Sequence, residues 1–284
     1  MHKTFTLVAS AILFIGLFSS CRKSVPGGTP EKGKPGEIVE TQAAVLSKFS
    51  QDISTNVKGY YQAVPARYNE TTKNYPLIVF FHGGGQYGNG TTDLDTLLAE
   101  GTPKLLKAKT FPPSFTVNNE TFSFILVAPQ FVMMPRNTDV AALLTHIRSK
   151  FRIDTSRIYL LGFSLGGRML SNYAASDPTH IAAIASMAGL PEINSALNAK
   201  CMAMMNARLP VWHVHNKDDG AWTYSDAVQY INYLNKQNPV LPPKFTSFDV
   251  GEARLHHDCW TRTMDPAYKE NGKNVYEWML SYKR

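Results

Sequence analysis

A serine hydroxyl attacks a carbonyl only when a base takes its proton and hydrogen-bond donors hold the oxyanion that forms. Gly162-Phe163-Ser164-Leu165-Gly166-Gly167 offers such a serine at a sharp turn, with an apolar strand before it and an amphipathic helix after it. Side chains two residues to either side of Ser164 would collide with neighbouring elements, so Gly162 and Gly166 suit the turn. The N–H of Leu165, at the helix start, points where a tetrahedral oxyanion would sit. The spacing alone is a weak signal in a chain with 19 glycines, and the strand and helix around it supply the weight. A second donor is expected from His82-Gly83-Gly84-Gly85-Gln86, first from Gly84 and then from Gly85. Three glycines let the backbone come close to a ligand. No Lys-Ser or Lys-Thr follows them, which argues against a phosphate cradle. His82 reads as a residue that holds this loop.

The acid and base follow Ser164 in chain order. Val211-Trp212-His213-Val214-His215 runs into Asn216-Lys217-Asp218-Asp219-Gly220, which carries two adjacent carboxylates. The longer turn favours Asp219, with Asp218 toward solvent. His213 and His215 alternate along the strand and read as packed. The base lies in Leu255-His256-His257-Asp258-Cys259-Trp260, where two histidines again stand side by side and His257 is favoured. Adjacent histidines rarely reach one ion and no further Cys/His/Glu spacing completes a metal site, so none is expected. Gln86, Gln130, Trp222 and Trp260 are candidate substrate contacts on the same rim.

These residues must be held by a sheet. Leu77-Ile78-Val79-Phe80-Phe81 is a continuous apolar run, as in a strand buried on both faces. Further strands are expected over 60–64, 122–127, 157–163, 181–188, 209–215 and 244–250. Helices are expected over 43–53, around 94–106, and over 139–151, 164–175, 224–234 and 274–282. The alternation predicts an α/β fold, a mostly parallel central sheet with helices on both faces. Ligands of such sheets bind at the carboxyl ends of the strands, where all the residues named above fall.

Together, His82-Gly83-Gly84-Gly85, the serine turn, His215-Asn216-Lys217-Asp218-Asp219 and His257-Asp258-Cys259-Trp260 resemble the bacterial predicted peptidase and esterase branch of the α/β hydrolases. That branch is related to dienelactone hydrolases, polyhydroxybutyrate depolymerases and feruloyl or acetyl-xylan esterases. The resemblance covers roughly 41–284. It implies Ser164, Asp219 and His257 as the triad, since the acid is the fifth residue of the family turn and the base precedes Asp-x-Trp. Asn216 departs from the family's usual glycine, and Gly220-Ala221-Trp222 from its usual Pro-Val-Val. The implied activity is acyl transfer to water without a cofactor, on acyl or feruloyl esters of polysaccharides. A serine peptidase, a polyester depolymerase and a non-catalytic glycan-binding lipoprotein are the alternatives.

Composition bounds the rest. With 284 residues, 44% hydrophobic and 18% charged, the chain can bury one sizeable core. The net charge of +7 is dispersed, with no basic run interleaved with aromatics, so a nucleic-acid partner is not expected. His2, Lys3 and the apolar stretch 7–18 form an export leader over 1–20. Phe18-Ser19-Ser20-Cys21 resembles a lipobox, which predicts acylation of Cys21 and a membrane anchor on an exported protein. A Gly/Pro-rich tether is expected over 21–40 and the catalytic domain over 41–284. Cys201 and Cys259 fall at opposite ends of the sheet, so two free buried thiols are expected.

Overall fold

The computed structural model describes residues 38–254 and 256–284, all within one compact unit. The leader over 1–20, the acylation at Cys21 and the tether as far as residue 37 lie outside the described residues. Glu40, at the expected end of the tether, is buried at 2% exposure. Its Oε1 accepts the Arg67 N–H at 3.0 Å.

In chain order the elements are β1 (Val45–Ser50), β2 (Val57–Val64), β3 (Tyr75–Phe81), α1 (Gly101–Lys107), β4 (Phe115–Val117), β5 (Glu120–Phe122) and β6 (Ile125–Phe131). Then come α2 (Asn137–Lys150), β7 (Ile153–Phe163), α3 (Leu165–Ser176), β8 (Ala183–Met187), α4 (Leu197–Asn206) and β9 (Val211–Asn216). The chain ends with α5 (Tyr224–Asn235), β10 (Lys244–Phe248), α6 (Trp260–Thr263) and α7 (Val275–Leu280). Eight strands form one sheet in the order β1-β2-β6-β3-β7-β8-β9-β10. β1 and β2 pair antiparallel, as do β2 and β6, and every other neighbouring pair is parallel. This is the α/β-hydrolase arrangement.

The apolar run of β3 is buried on both faces because its side chains alternate between two cores. Ile78 and Phe80 pack with Leu106 of α1, Trp260 of α6 and Tyr276 of α7. Leu77, Val79 and Phe81 pack with Leu143 of α2, Leu170 of α3, Cys201 of α4 and Tyr230 of α5. Cys201 and Cys259 are both free and buried.

Several elements differ from expectation, among them the following. The segment 43–53 is not helical: β1 pairs with β2 from Val45↔Val64 to Ser50↔Gly59, forming the sheet's edge. Val45 and Phe49 stay exposed there, so apolar spacing did not report a buried helical face. The strand expected over 122–127 begins at Ile125, and Phe122 belongs to the β4–β5 hairpin instead. Finally, α4 was not expected at all, although Leu197, Cys201, Met204 and Met205 are its buried stripe.

Candidate active site

Ser164 links β7 to α3 with φ 52° and ψ −127°, a region that β-carbon sterics disfavour. Such a conformation persists only where the surroundings over-determine it, at a cost of about 1–3 kcal/mol. Here the Ser164 N–H donates to the Met187 carbonyl of β8 at 2.8 Å. A Cβ at Gly166 would overlap the Phe81 carbonyl oxygen, and one at Gly189 would overlap the Ser164 carbonyl oxygen. The two glycines therefore let β3, the serine turn and the segment after β8 close on one another.

His257 Nδ1 lies 2.8 Å from Asp219 Oδ2, and a carboxylate can only accept, so Nδ1 carries the proton. Nε2 is then free to accept, and the Ser164 hydroxyl donates to it at 2.8 Å. The Asp219 side chain is fully buried. Its Oδ1 accepts the N–H of Ala221 at 2.8 Å and of Trp222 at 3.0 Å. Burial pushes its pKa up, but the bond from His257 and these amides outweigh burial, and the net shift is downward. His215 Nε2 donates to the Trp222 carbonyl at 2.9 Å and lies 3.3 Å from Asp219 Oδ2. Burial lowers the His215 pKa, which keeps that ring neutral behind the acid.

The neighbouring pair forms separately. His256 Nδ1 meets Asp218 Oδ2 at 3.4 Å, with the His256 side chain 70% exposed. His256 has φ 57°, and that left-handed step turns it outward while His257 turns inward. Asn216 holds this turn from the end of β9. Its Nδ2 donates to the carbonyls of Arg254 at 3.0 Å and His256 at 2.7 Å. Asn216 is buried and its Oδ1 has no partner among the described residues.

Gly84 opens the 3-10 turn Gly84–Gln86, and Leu165 opens α3, so the N–H groups of both stand at the free starts of helical turns. A Cβ on Gly84 would lie 2.7 Å from Leu165 Cδ1, so the glycine loop packs directly against the residue that opens α3. Gly85 is exposed with open space before it. His82 braces the loop: Nδ1 donates to the Gly83 carbonyl at 2.7 Å, and Nε2 accepts the Phe131 N–H at 3.0 Å. Burial lowers its pKa to about 4, so it stays the neutral tautomer those bonds need.

These groups border a cleft of ≈ 490 Å³ whose walls include Gly83, Gly84, Gln86, Phe163, Ser164 and His257. Gly85, Thr96, Ala99, Glu100 and Trp260 complete it, and of the lining residues Phe163, Thr96, Ala99 and Glu100 were not expected from sequence. Trp260 stacks on Phe163 with centroids 4.4 Å apart and meets the His257 ring edge-on at 5.2 Å. A larger groove of ≈ 630 Å³ opens beside Tyr75, Asp154 and Arg157, at the starts of β3 and β7 and so at the opposite sheet edge.

Two expected substrate contacts lie elsewhere. Gln130 is fully buried and its amide is consumed by the protein. Oε1 accepts the Gly90 N–H at 2.8 Å, and Nε2 donates to the Gln86 carbonyl at 3.1 Å, the Asp93 carbonyl at 2.9 Å and Thr96 Oγ1 at 3.1 Å. It braces the segment beside the cleft. The Trp222 ring lies 4.2 Å beneath the Arg168 guanidinium, away from the cleft walls, and its backbone serves Asp219. Gln86 and Trp260 do line the cleft.

The sequence profile of the phospholipase/carboxylesterase family matches residues 65–269. A 117-residue segment is 26% identical to a bifunctional acetylxylan esterase/xylanase of Neocallimastix patriciarum, covering 35% of this chain and 16% of that enzyme. The chain thus matches only a small part of that relative. The fold is similar to that of a thermostable esterase, with a TM-score of 0.59 and 18% identity over 85% of this chain and 64% of that one. It is also similar to a ferulic acid esterase, with a TM-score of 0.53 and 15% identity over 78% of this chain and 93% of that one. At such identities the likeness is one of fold.

Proposed function

The chain belongs to the phospholipase/carboxylesterase family of α/β hydrolases, and on that premise we propose that it is an exported serine esterase using Ser164, His257 and Asp219. The observation that carries the proposal is the unbroken hydrogen-bond line: Ser164 Oγ to His257 Nε2 at 2.8 Å, and His257 Nδ1 to Asp219 Oδ2 at 2.8 Å. As Ser164 Oγ attacks the ester carbonyl, its proton passes to His257 Nε2. Asp219 stabilises the imidazolium and keeps the ring in its tautomer. The N–H groups of Gly84 and Leu165, with Gly85 next in line, receive the oxyanion, each donor being worth about 10²–10³ in rate. His257 returns the proton to the leaving alcohol. It then activates the water that releases the acid from Ser164.

The substrates proposed are acyl or feruloyl esters carried on polysaccharides. The acetylxylan esterase named above supports this choice, as does a cleft walled by an aromatic platform and polar groups. Turnover of 4-nitrophenyl acetate that falls at least about 10³-fold in Ser164→Ala is the expected outcome. Equal rates in the two proteins refute the nucleophile. Acetylated xylan, methyl ferulate, a short polyester and a peptide amide, assayed side by side, then sort the substrate classes. Export and a lipid anchor belong to the same proposal, on the strength of Phe18-Ser19-Ser20-Cys21. Labelled palmitate is expected on the wild-type protein in a lipoprotein-processing bacterial host. Label that persists on Cys21→Ala refutes the anchor.

A further inference from the structure

Glu100 is a carboxylate on the wall of the cleft that the acyl-transfer steps do not use. It stands between the 3-10 segment Leu94–Ala99 and α1, half-buried, in an extended conformation. Its Oε2 accepts the indole N–H of Trp260 at 2.9 Å. That contact fixes the carboxylate beside a ring whose other neighbours are Phe163 and the His257 imidazole. No Lys or Arg among the described residues forms an ion pair with it. Apart from His257, it is the one ionisable side chain among the residues bordering the cleft. The carboxylate is thus held on the cleft wall by Trp260, with no ion-pair partner among the described residues.

Resting on the serine-esterase reading of Ser164, we propose that Glu100 makes the cleft charge-selective. It admits esters whose groups near the scissile bond are neutral hydroxyl donors or cations, and it rejects those bearing a carboxylate, sulfate or phosphate there. Oε1 is open to accept from a substrate hydroxyl while Oε2 stays on Trp260. The indole face beside it suits the C–H face of a sugar ring. The full sequence carries a formal net charge of +7, which attracts acidic polymers at long range. Discrimination by Glu100 acts inside the cleft. An acidic polymer is therefore drawn to the protein, yet is cleaved only at ester groups on uncharged residues.

The test uses a pair of near-isosteric esters, 4-carbamoylphenyl acetate and 4-carboxyphenyl acetate, each rate divided by its own hydroxide-catalysed rate. A unit charge about 8 Å from Glu100, in an effective dielectric of about 30, changes kcat/KM by about tenfold. Wild type is expected to favour the carbamoyl ester by about that factor. Glu100→Gln, which keeps the acceptor for Trp260, is expected to bring the ratio near unity, and Glu100→Lys to invert it. The ratio is taken within one preparation, so a misfolded fraction cancels. An unchanged ratio in Glu100→Gln, with turnover still dependent on Ser164, overturns the Glu100 assignment alone. Turnover of both esters by Ser164→Ala at the wild-type rate refutes the esterase reading instead.

Discussion

Asn216 closes β9, and its removal gives a sharp test of how His257 is held. Its amide makes two hydrogen bonds to backbone carbonyls of the turn that ends in His257. Each is worth about 1 kcal/mol net, so truncation loosens that turn by about 2 kcal/mol. Truncation also removes the Asn216 Oδ1, a buried acceptor without a partner among the described residues, and relieves about 1 kcal/mol or more. The two effects act in different places. Global stability changes by about 1 kcal/mol, which moves Tm by about 2–4 °C in a domain of this size. The competent placement of His257 loses the full amount, which at about 1.4 kcal/mol per decade lowers kcat by about 10–30-fold. KM is expected to stay near the wild-type value, because Asn216 does not border the cleft. Asn216→Asp separates chemistry from shape: it keeps the volume but cannot donate, and it sets a buried carboxylate against two carbonyls. The expected order of kcat on 4-nitrophenyl acetate is wild type, then Asn216→Ala, then Asn216→Asp. A wild-type kcat in Asn216→Ala, or Asn216→Asp faster than Asn216→Ala, refutes the clamp.

The paired residues around the site are expected to separate cleanly in the same assay. Asp219→Asn should lower kcat by up to about 10⁴-fold and Asp218→Asn by less than about threefold, since only Asp219 holds the His257 tautomer. His257→Ala should be inactive and His256→Ala active, and the reverse result reassigns the base. Acid stability supplies another test, because burial holds the pKa values of His82, His213 and His215 below their ordinary 6.5. The folded state keeps these rings neutral while the unfolded chain protonates them. Stability is thus full above pH ~6.5 and falls as pH drops toward the folded values, by up to about 1.4 kcal/mol per pH unit for each ring. Urea melts that show no loss between pH 6.5 and 5 contradict this. Burial likewise pushes the Cys201 thiol up to about 12 and the Cys259 thiol well above its ordinary value. Neither should react with Ellman's reagent in the native protein, and both should react in guanidinium. Mass spectrometry that finds either one modified in the native state refutes their burial.

Much of this arrangement is legible in the sequence because buried parallel strands leave little choice of side chain. β3 is apolar at every position since both its faces are covered, and the turns that follow such strands fall at one edge. The edge strand β1 lacks that constraint. Its apolar residues sit at the surface, and pairing with β2 decides its conformation. The β4–β5 hairpin carried a usable signal, Asn118 and Asn119, both with positive φ, as a two-residue hairpin turn requires. At the site, spacing locates a strand end but not the direction of a side chain leaving it. Gln130 and Gln86 lie at the same edge, yet one amide is spent inside the protein and the other borders the cleft. Glu100 and Phe163 were invisible for the opposite reason. Nothing in their types marks them until the chain brings Trp260 between them.

The four hydrogen bonds of Gln130 divide the molecule's evolvable parts. They grip the chain at Gln86, Gly90, Asp93 and Thr96, so one side chain from the sheet anchors the segment that leads to the Glu100 wall. Ser164, Asp219 and His257 hang from other strands and are not touched by those bonds. The stretch between residues 86 and 101 is held to the sheet by these bonds and by Leu94, Leu97 and Leu98 in the core. A graft that keeps the four partners of Gln130, those three core positions and the Glu100 acceptor for Trp260 is the one expected to change the wall without disturbing the proposed reaction centre.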